Sequence, residues 1–502
     1  MSSYSSSQDQ SLAQSNAPTN ATASSIPDIL KIGTIPTNTA IEIETDVLDP
    51  VVGTESLIRF QLQNKGILHS HSKIVLRLDT GANKTDHFPI GVGIHSLIQR
   101  CRLLVGTKTI SEIDDFSHYM GYKSVFMSGE HQKEREQLTS GRIVSHRLYY
   151  ADGDNASGGG TSTTSASFIG IDNGYSASNN TSGVVMDAGG DLILQPYMTT
   201  STVATIKGPE YQVALADLFP FLYTNQLPLY MMKEPVTIEL FLTTGVGLRV
   251  CGDAATRVLD HSATQLIADY QYFPQEIMEA YARANSQMSF SYVDYRLSKR
   301  TVSSSGTAGA EVPTGELIIN IGGAGRVCSK VIGMLSADGL KNTSLLNNYH
   351  SSAPMKDYAN ATENLRYNGK LTTNIKYNNM FLYPVDIQNT AHLFYQVTQA
   401  EGMVPFVTRE EYSNQSATMT PVELQGVDQN ASDVGLPGRF FYQSFHLNRA
   451  ERINSRGIEV YVNYDKLRNI GGGATTSYTL RSYVELLKSA TLQDGIMVPD
   501  FA

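Results

Sequence analysis

Tryptophan is absent from the 502 residues, and cysteine occurs three times, at Cys101, Cys251 and Cys328. Three thiols so far apart suit neither a disulfide framework nor a CxxC metal site, and we read them as buried thiols of a chain folded in a reducing compartment. No apolar run reaches 18 residues, and the start Met1-Ser-Ser-Tyr-Ser-Ser-Ser-Gln-Asp has no basic stretch ahead of an apolar one. Neither a signal peptide nor a transmembrane segment is therefore expected. Positive charge is also short: 38 basic residues face 48 acidic ones, a net charge of -10. That balance argues against a dedicated or sequence-specific nucleic-acid groove, which normally shows a basic excess. Walker-type Gly-Lys-Ser/Thr, GxSxG, HExxH and CxxC signatures are missing, so no catalytic, cofactor-binding or metal-binding residue is assigned and no cofactor is expected.

What is present is hydrophobic residues at 41%, few charges at 17%, and 41 glycines. This suits large sheet-on-sheet cores with many turns, and the length fits two domains of about 200 to 250 residues. Residues 1–26 are Ser, Gln, Asn, Thr and Ala with no Lys or Arg before Lys31. Such a segment buries too little apolar surface to fold alone and reads as a flexible arm that cannot grip DNA by charge.

From residue 40 a period of two takes over: Ile41 and Ile43; Ile58, Phe60 and Leu62; Ile74, Leu76 and Leu78. We read these as strands buried on one face. Leu97-Ile-Gln-Arg-Cys-Arg-Leu-Leu-Val105, the turn Gly106-Thr-Lys-Thr109 and Ile110-Ser-Glu-Ile113 read as strand, turn and short strand. Asp114 or Asp115 then caps a helix carrying Phe116, Tyr119, Met120 and Lys123. Residues 151–188 are Gly/Ser/Thr-rich without core periodicity and read as a long exposed loop.

Thr237 to Leu242 and Leu266 to Tyr272 alternate again, and Pro274 opens a segment that puts Ile277, Met278, Tyr281 and Ala282 on one helical face. After it, strand patterns recur at 290–297, 316–321, 330–335, 391–397, 440–447, 456–464 and 478–487. The expected division is an arm at 1–26, a first β domain at 27–273, a helix at 274–287 between domains, and a second β domain at 288–502.

The remaining candidates for chemistry have plainer readings. His69 and His71 at spacing two suit two metal ligands on a strand face, but ordinary turn histidines explain them. Gly322-Gly-Ala-Gly325 reads as a hairpin turn, since no helix pattern follows it as a phosphate loop requires. The pair Asp114 and Asp115 is explained by helix capping, and Arg296, Lys299 and Arg300 by a solvated strand end. Asn83-Lys-Thr85 and Asn342-Thr-Ser344 are sequons to which no function is assigned.

In order and spacing, several segments resemble the double jelly-roll major capsid proteins of double-stranded DNA viruses, most closely those of virophages and Polinton-like viruses. They are Leu97-Ile-Gln-Arg-Cys-Arg-Leu-Leu-Val-Gly-Thr-Lys-Thr-Ile110, Phe219-Pro-Phe221 with Leu227-Pro-Leu229, Leu266-Ile-Ala-Asp-Tyr270 with its helix, Asn364-Leu-Arg-Tyr-Asn-Gly369, and Phe441-Tyr-Gln-Ser-Phe-His-Leu-Asn448. Arg449 and Ala450 depart from the family's Pro-Glu-like pattern. The resemblance implies an all-β fold of two tandem jelly-roll sandwiches with a short interdomain helix. It also implies a non-enzymatic subunit whose homotrimers form pseudo-hexagonal capsomers of an icosahedral shell. Its partners would be itself, penton and minor capsid proteins, and its place the virion, after synthesis in host cytoplasm or nucleus. A β-sandwich carbohydrate- or receptor-binding spike or minor capsid module is the alternative reading.

Overall fold

A computed structural model describes residues 41–79, 88–89, 93–125, 139–140, 149–152, 166–169, 183–186, 192–195, 210–242, 258–259, 263–303, 312–322, 325–337, 371–387, 390–401, 442–447, 453–464 and 477–499. The arm 1–26, Cys251, both sequons, segment 364–369 and most of 151–188 lie outside the described residues.

Alternation sets the strands. Ile58 and Phe60, Cys101, Leu103 and Val105, and Ile238 and Leu240 are fully buried, while the intervening Arg59, Arg102 and Glu239 turn to the opposite face. Eight principal strands result among the described residues: β1 (Glu42–Leu48), β2 (Leu57–Gln61), β3 (Lys73–Asp79), β4 (Ile98–Val105), β5 (Lys108–Asp114), β6 (Glu210–Ala214), β7 (Val236–Leu242) and β8 (Gln265–Tyr272). They make two antiparallel sheets with spatial orders β1-β8-β3-β6 and β2-β7-β4-β5. The sharp turn between β4 and β5 contains Gly106 at φ +59, where an added Cβ would meet the Glu234 carboxylate at 3.0 Å.

The pattern then repeats: β9 (Gln287–Ser303), β10 (Gly315–Asn320), β11 (Cys328–Ala337), β12 (Leu371–Tyr377), β13 (Met380–Phe381), β14 (Tyr442–His446), β15 (Ile458–Tyr464) and β16 (Ser477–Gln493). Their orders are β9-β16-β11-β14 and β10-β15-β12-β13, so each strand of the first set has a counterpart eight labels later. Two facing sheets, each with four principal strands in this Greek-key order, are a jelly roll, and the chain contains it twice. Helices also correspond: α1 (Phe116–Val125) follows β5 as α4 (Thr390–Glu401) follows β13, while α2 (Pro220–Thr224) and α3 (Gln275–Ala284) precede β7 and β9.

Strands β9 and β16 have 17 residues each and pair without a break from Gln287↔Gln493 to Ser303↔Ser477. At roughly 3.3 Å per residue this ribbon is about 55 Å long, well beyond an ordinary strand. One end of β16, with Tyr478, Leu480, Val484 and Leu486, lies in the second core. The other end, with Ala490 and Leu492, joins Met288, Phe290, Tyr292 and Met497 in the first core. A turn at Asp494 (φ 51) and Gly495 (φ 83) folds back the last strand, β17 (Ile496–Pro499). A Cβ at Gly495 would lie 2.7 Å from Lys233 Cγ, and the Lys233 N–H donates to the Gly495 carbonyl at 2.8 Å.

Five readings of the sequence change here. Residues 391–397 are not a strand but part of α4, which buries Gln396, Val397 and Ala400 at helical spacing. The alternation of Ala391, Leu393, Tyr395 and Val397 was too short to outweigh a run without Gly or Pro. The 151–188 loop contains short strands: Tyr149–Asp152 pairs with Ala166–Ile169, and Gly183–Met186 with Leu192–Gln195. Gly322–Gly325 is no hairpin turn, because β10 and β11, which flank it, belong to different sheets. On β1 the expected one-face burial fails: Ile43 and Val47 are exposed. Finally, Ile277, Met278, Tyr281 and Ala282 do share the covered side of α3, but none is fully buried.

Candidate functional site

The most elaborate constellation of side chains lies at the seam where the first sandwich meets the β9-β16 ribbon. Three polar groups are built into it, each beginning as a charge in the apolar phase of a strand or at a helix end.

Asp294 follows Met288, Phe290 and Tyr292 in phase, and Lys488 precedes Ala490 and Leu492 in phase. Both side chains are thereby carried into the contact, where they pair with each other. Asp294 also accepts from Ser111 Oγ at 2.9 Å and from the Glu112 N–H at 3.4 Å, which ties β9 to β5. Burial raises its carboxyl above the ordinary value, and the Lys488 ammonium and the hydrogen bonds offset this only in part.

Lys330, on β11, sits between two carboxylates, 3.0 Å from Glu401 Oε2 and 3.3 Å from Glu485 Oε2. Burial works to lower its pKa, but the two anions outweigh it and hold it above the ordinary value. Tyr122 donates to Glu401 at 2.6 Å, Ser329 donates to Glu485 at 2.5 Å, and Tyr295 also donates to Glu485. The end of α1 is thus joined to the end of α4.

Asp115, at φ 47, leaves β5 and turns its carboxylate to Arg481 Nε at 3.2 Å and Lys299 Nζ at 3.8 Å. Its carbonyl accepts from Tyr483 Oη at 2.8 Å and from the His118 N–H at 2.9 Å. Tyr119 packs between, with ring centroids 4.7 Å from Tyr295 and 5.8 Å from Tyr483. Burial pushes all three phenols well above their usual range.

Of the residues singled out in the sequence, this seam gathers Asp115 and Lys299. Asp114 instead lies 3.9 Å from Arg100, Arg300 donates to the Ile318 carbonyl at 3.0 Å, and Arg296 is exposed. His69 and His71 occupy a turn, where the His71 N–H donates to His69 Nδ1 at 3.1 Å; burial and the neighbouring His71 lower the His69 pKa. Cys101 and Cys328 are buried thiols donating to the Leu218 and Ile453 carbonyls at 3.2 and 3.4 Å. Among the described residues, no group of three or more His, Cys, Asp or Glu is arranged to hold a metal ion, and no helix is long and apolar enough to cross a membrane. The reading missed Asp294, Lys330, Glu401, Glu485 and Lys488. A signal existed for three of them, since Asp294, Lys488 and Lys330 break otherwise apolar phases.

The seam's carboxylates face cations or hydroxyl donors, and its phenols are held protonated inside a contact.

No protein-family model and no curated protein matches the chain. Solved structures do. PBCV-1 VP54, fitted into a cryo-EM reconstruction of the virophage Sputnik, has 11% sequence identity and a TM-score of 0.51, covering 94% of this chain and 99% of that one. A quasi-atomic model of the PBCV-1 virus capsid has 12% identity and a TM-score of 0.50 over 94% and 99%. The 3.5 Å cryo-EM structure of the Sputnik virophage has 12% and 0.50 over 97% and 94%. At these identities the likeness shows the fold, which is all-β and a double jelly roll.

Proposed function

We propose that this chain is the major capsid protein of an icosahedral double-stranded DNA virus of the virophage or Polinton-like kind. The observation that carries the reading is the duplicated strand order, locked by one continuous ribbon and shared over nearly the full length with PBCV-1 VP54 and a Sputnik virophage chain. The domain division proposed is an arm at 1–26, jelly rolls at 27–273 and 288–502, and a joining helix at 274–287. Three copies close into a pseudo-hexagonal capsomer, which meets its own kind, penton and minor capsid proteins in the virion. The role is structural, without catalysis, and a net charge of -10 supports attachment to protein neighbours rather than to nucleic acid. Sedimentation of the recombinant chain tests the reading. The expected species has three times the 54.9 kDa chain mass, and concentrated material should form closed particles or hexagonal arrays under negative stain. A monomer at micromolar concentration would overturn it.

A further inference from the structure

His69 and His71 sit where a strand is interrupted. Ile67–Leu68 pairs with Gln271 and Tyr270 of β8, and Lys73, Ile74 and Val75 pair with Ile267, Leu266 and Gln265. Both runs follow one edge of β8, so His69 to Ser72 form an excursion opposite Ala268 and Asp269. The other edge of β8 stays paired with β1 from Leu266 to Tyr272. The excursion is tied down at both ends. The His69 N–H donates to the Asp269 carbonyl at 2.8 Å, and the Asp269 N–H donates to Ser72 Oγ at 3.0 Å. Ser72 is fully buried; its hydroxyl and N–H donate to the His69 carbonyl at 2.8 and 3.1 Å, and its carbonyl accepts from the Leu215 N–H at 2.9 Å. The remaining tie is an imidazole, since the His71 N–H donates to His69 Nδ1 at 3.1 Å.

That last bond fixes a protonation state. A ring nitrogen that accepts must keep its lone pair, so His69 is neutral and carries its hydrogen on Nε2. A proton at Nδ1 would set two donors against each other across 3.1 Å and place a cation beside the His71 ring, whose centroid is 4.3 Å away. The titratable groups acting on His69 are His71 on its own turn and Asp269 on β8. Burial and His71 oppose the proton, and the Asp269 carboxylate favours it. That carboxylate already accepts from Thr45 Oγ1 at 2.7 Å and offers an imidazolium a partner away from the His71 N–H. Ser72 follows His71 directly, so displacement of His71 is passed to the hydroxyl and carbonyl that hold Asp269 and Leu215.

We infer that His69 to Ser72 form an acid-opened latch on β8: a proton at His69 Nδ1 expels the His71 N–H and frees Ser72 from Asp269. Opening is confined to one edge of β8, because pairing with β1 does not pass through the turn. The folded His69 pKa lies below the ordinary value, so the latch contributes fully above about pH 6.5, and its contribution is lost as pH falls below that. The latch belongs to a single chain and is independent of whether copies assemble.

The test is hydrogen exchange of the full chain at about pH 7.5 and about pH 5, read by mass spectrometry as protection factors corrected for intrinsic exchange. Two variants separate titration from mere structure. His69→Asn supplies a side-chain oxygen that accepts from the N–H two residues on at either pH, and His69→Ala supplies no acceptor. Because opening takes up a proton, its equilibrium should shift by up to about tenfold per pH unit below the ordinary histidine value. In wild type, peptides spanning 66–76 and 264–272 should therefore lose roughly tenfold protection in acid, while Ile458–Tyr464 of β15 keeps its own. His69→Asn should hold its protection within about twofold across the same change, and His69→Ala should be poorly protected at both values. Should His69→Ala fail to fold, wild type against His69→Asn decides the matter. Equal protection of wild type at both values, an equal loss in His69→Asn, or a parallel loss in β15 would overturn the latch.

Discussion

The two sandwiches share a strand order but differ in how they complete their cores. Among the described residues, the second core draws only on those from Val302 onward, from Val312 and Leu317 to Leu486. The first includes Met288, Phe290, Tyr292, Ile332, Met334, Ala490, Leu492 and Met497, all supplied by the second half. One sandwich is therefore self-sufficient and the other is finished by its neighbour. A long two-stranded ribbon achieves this because its alternation continues past the edge of its own sandwich. The consequence is a fixed relation between the jelly rolls: a relative rotation would pull apolar side chains out of the first core.

Separating the halves should break the comparison most severely. Expressed alone, residues 1–286 lack the Phe290, Tyr292 and Leu492 side chains, each contributing roughly 1.5 to 3 kcal/mol by burial, and should be insoluble or molten. Residues 288–502 should keep near-ultraviolet dichroism and a cooperative transition. Cooperative folding of 1–286 alone would show that the borrowed residues are dispensable.

The next largest effect concerns the pair at the seam. Lys488→Met leaves Asp294 buried without its cation and should cost about 3 to 5 kcal/mol, while the double variant Asp294→Asn with Lys488→Met should recover much of it. Thermal melts of the three proteins decide this. Equal loss in single and double variants would mean that the pair acts through packing instead of charge.

Gly495→Ala should come third. Its φ of +83 and the 2.7 Å approach to Lys233 would both strain an alanine, for about 1 to 3 kcal/mol. The damage should fall on the first sandwich, where β17 docks through Met497, and appear as faster hydrogen exchange in β5 before any change in β15. Smaller again is Ile277→Asp on α3. Because that face is only half covered, the loss should be about 1 kcal/mol, read as a shift in urea midpoint; a loss above about 3 kcal/mol would mean that the helix packs more deeply.

These differences also explain what could be read in advance. Strands such as Ile58-Arg-Phe60 and Thr237–Leu242 declare themselves because one face meets a core and the other a charged layer. The same rule cannot say what covers an outer face, so Ile43 on β1 looks in sequence like Ile58 on β2, though one is exposed and the other fully buried. Two-residue β13 is too short to carry a period at all. The seam was legible only where charge interrupted an apolar phase, at Asp294, at Lys488 and at Lys330 beside Ile332 and Met334; Glu401 at a helix end and Glu485 gain their role from tertiary contact. The resemblance was read from the order and spacing of segments such as Leu97 to Ile110 and the β8-α3 junction, and the fold it implied is shared with solved structures of 11 to 12% overall identity.

The smallest expected effect is a slope with pH, and it separates the seam from the rest of the second sandwich. Lys330 has a folded pKa raised above its ordinary value, so the stability it contributes is fully present below about pH 10.4 and is lost as pH rises through the raised value. Tyr119, Tyr295 and Tyr483 act in the same direction, since in the folded chain they keep protons that an unfolded chain releases near pH 10. Melting temperature should therefore fall above pH 10. In Lys330→Met the two carboxylates have lost their cation, so the variant should melt lower than wild type at pH 8 and the gap should narrow as alkali deprotonates the wild-type lysine. Tyrosinate absorbance followed through the same titration should rise together with unfolding rather than before it, because these phenols ionise only when the seam opens. A gap that stayed constant from pH 8 to 11 would show that Lys330 holds β11 to α4 by packing alone, and that the two sandwiches are joined by their borrowed core without help from the buried charges.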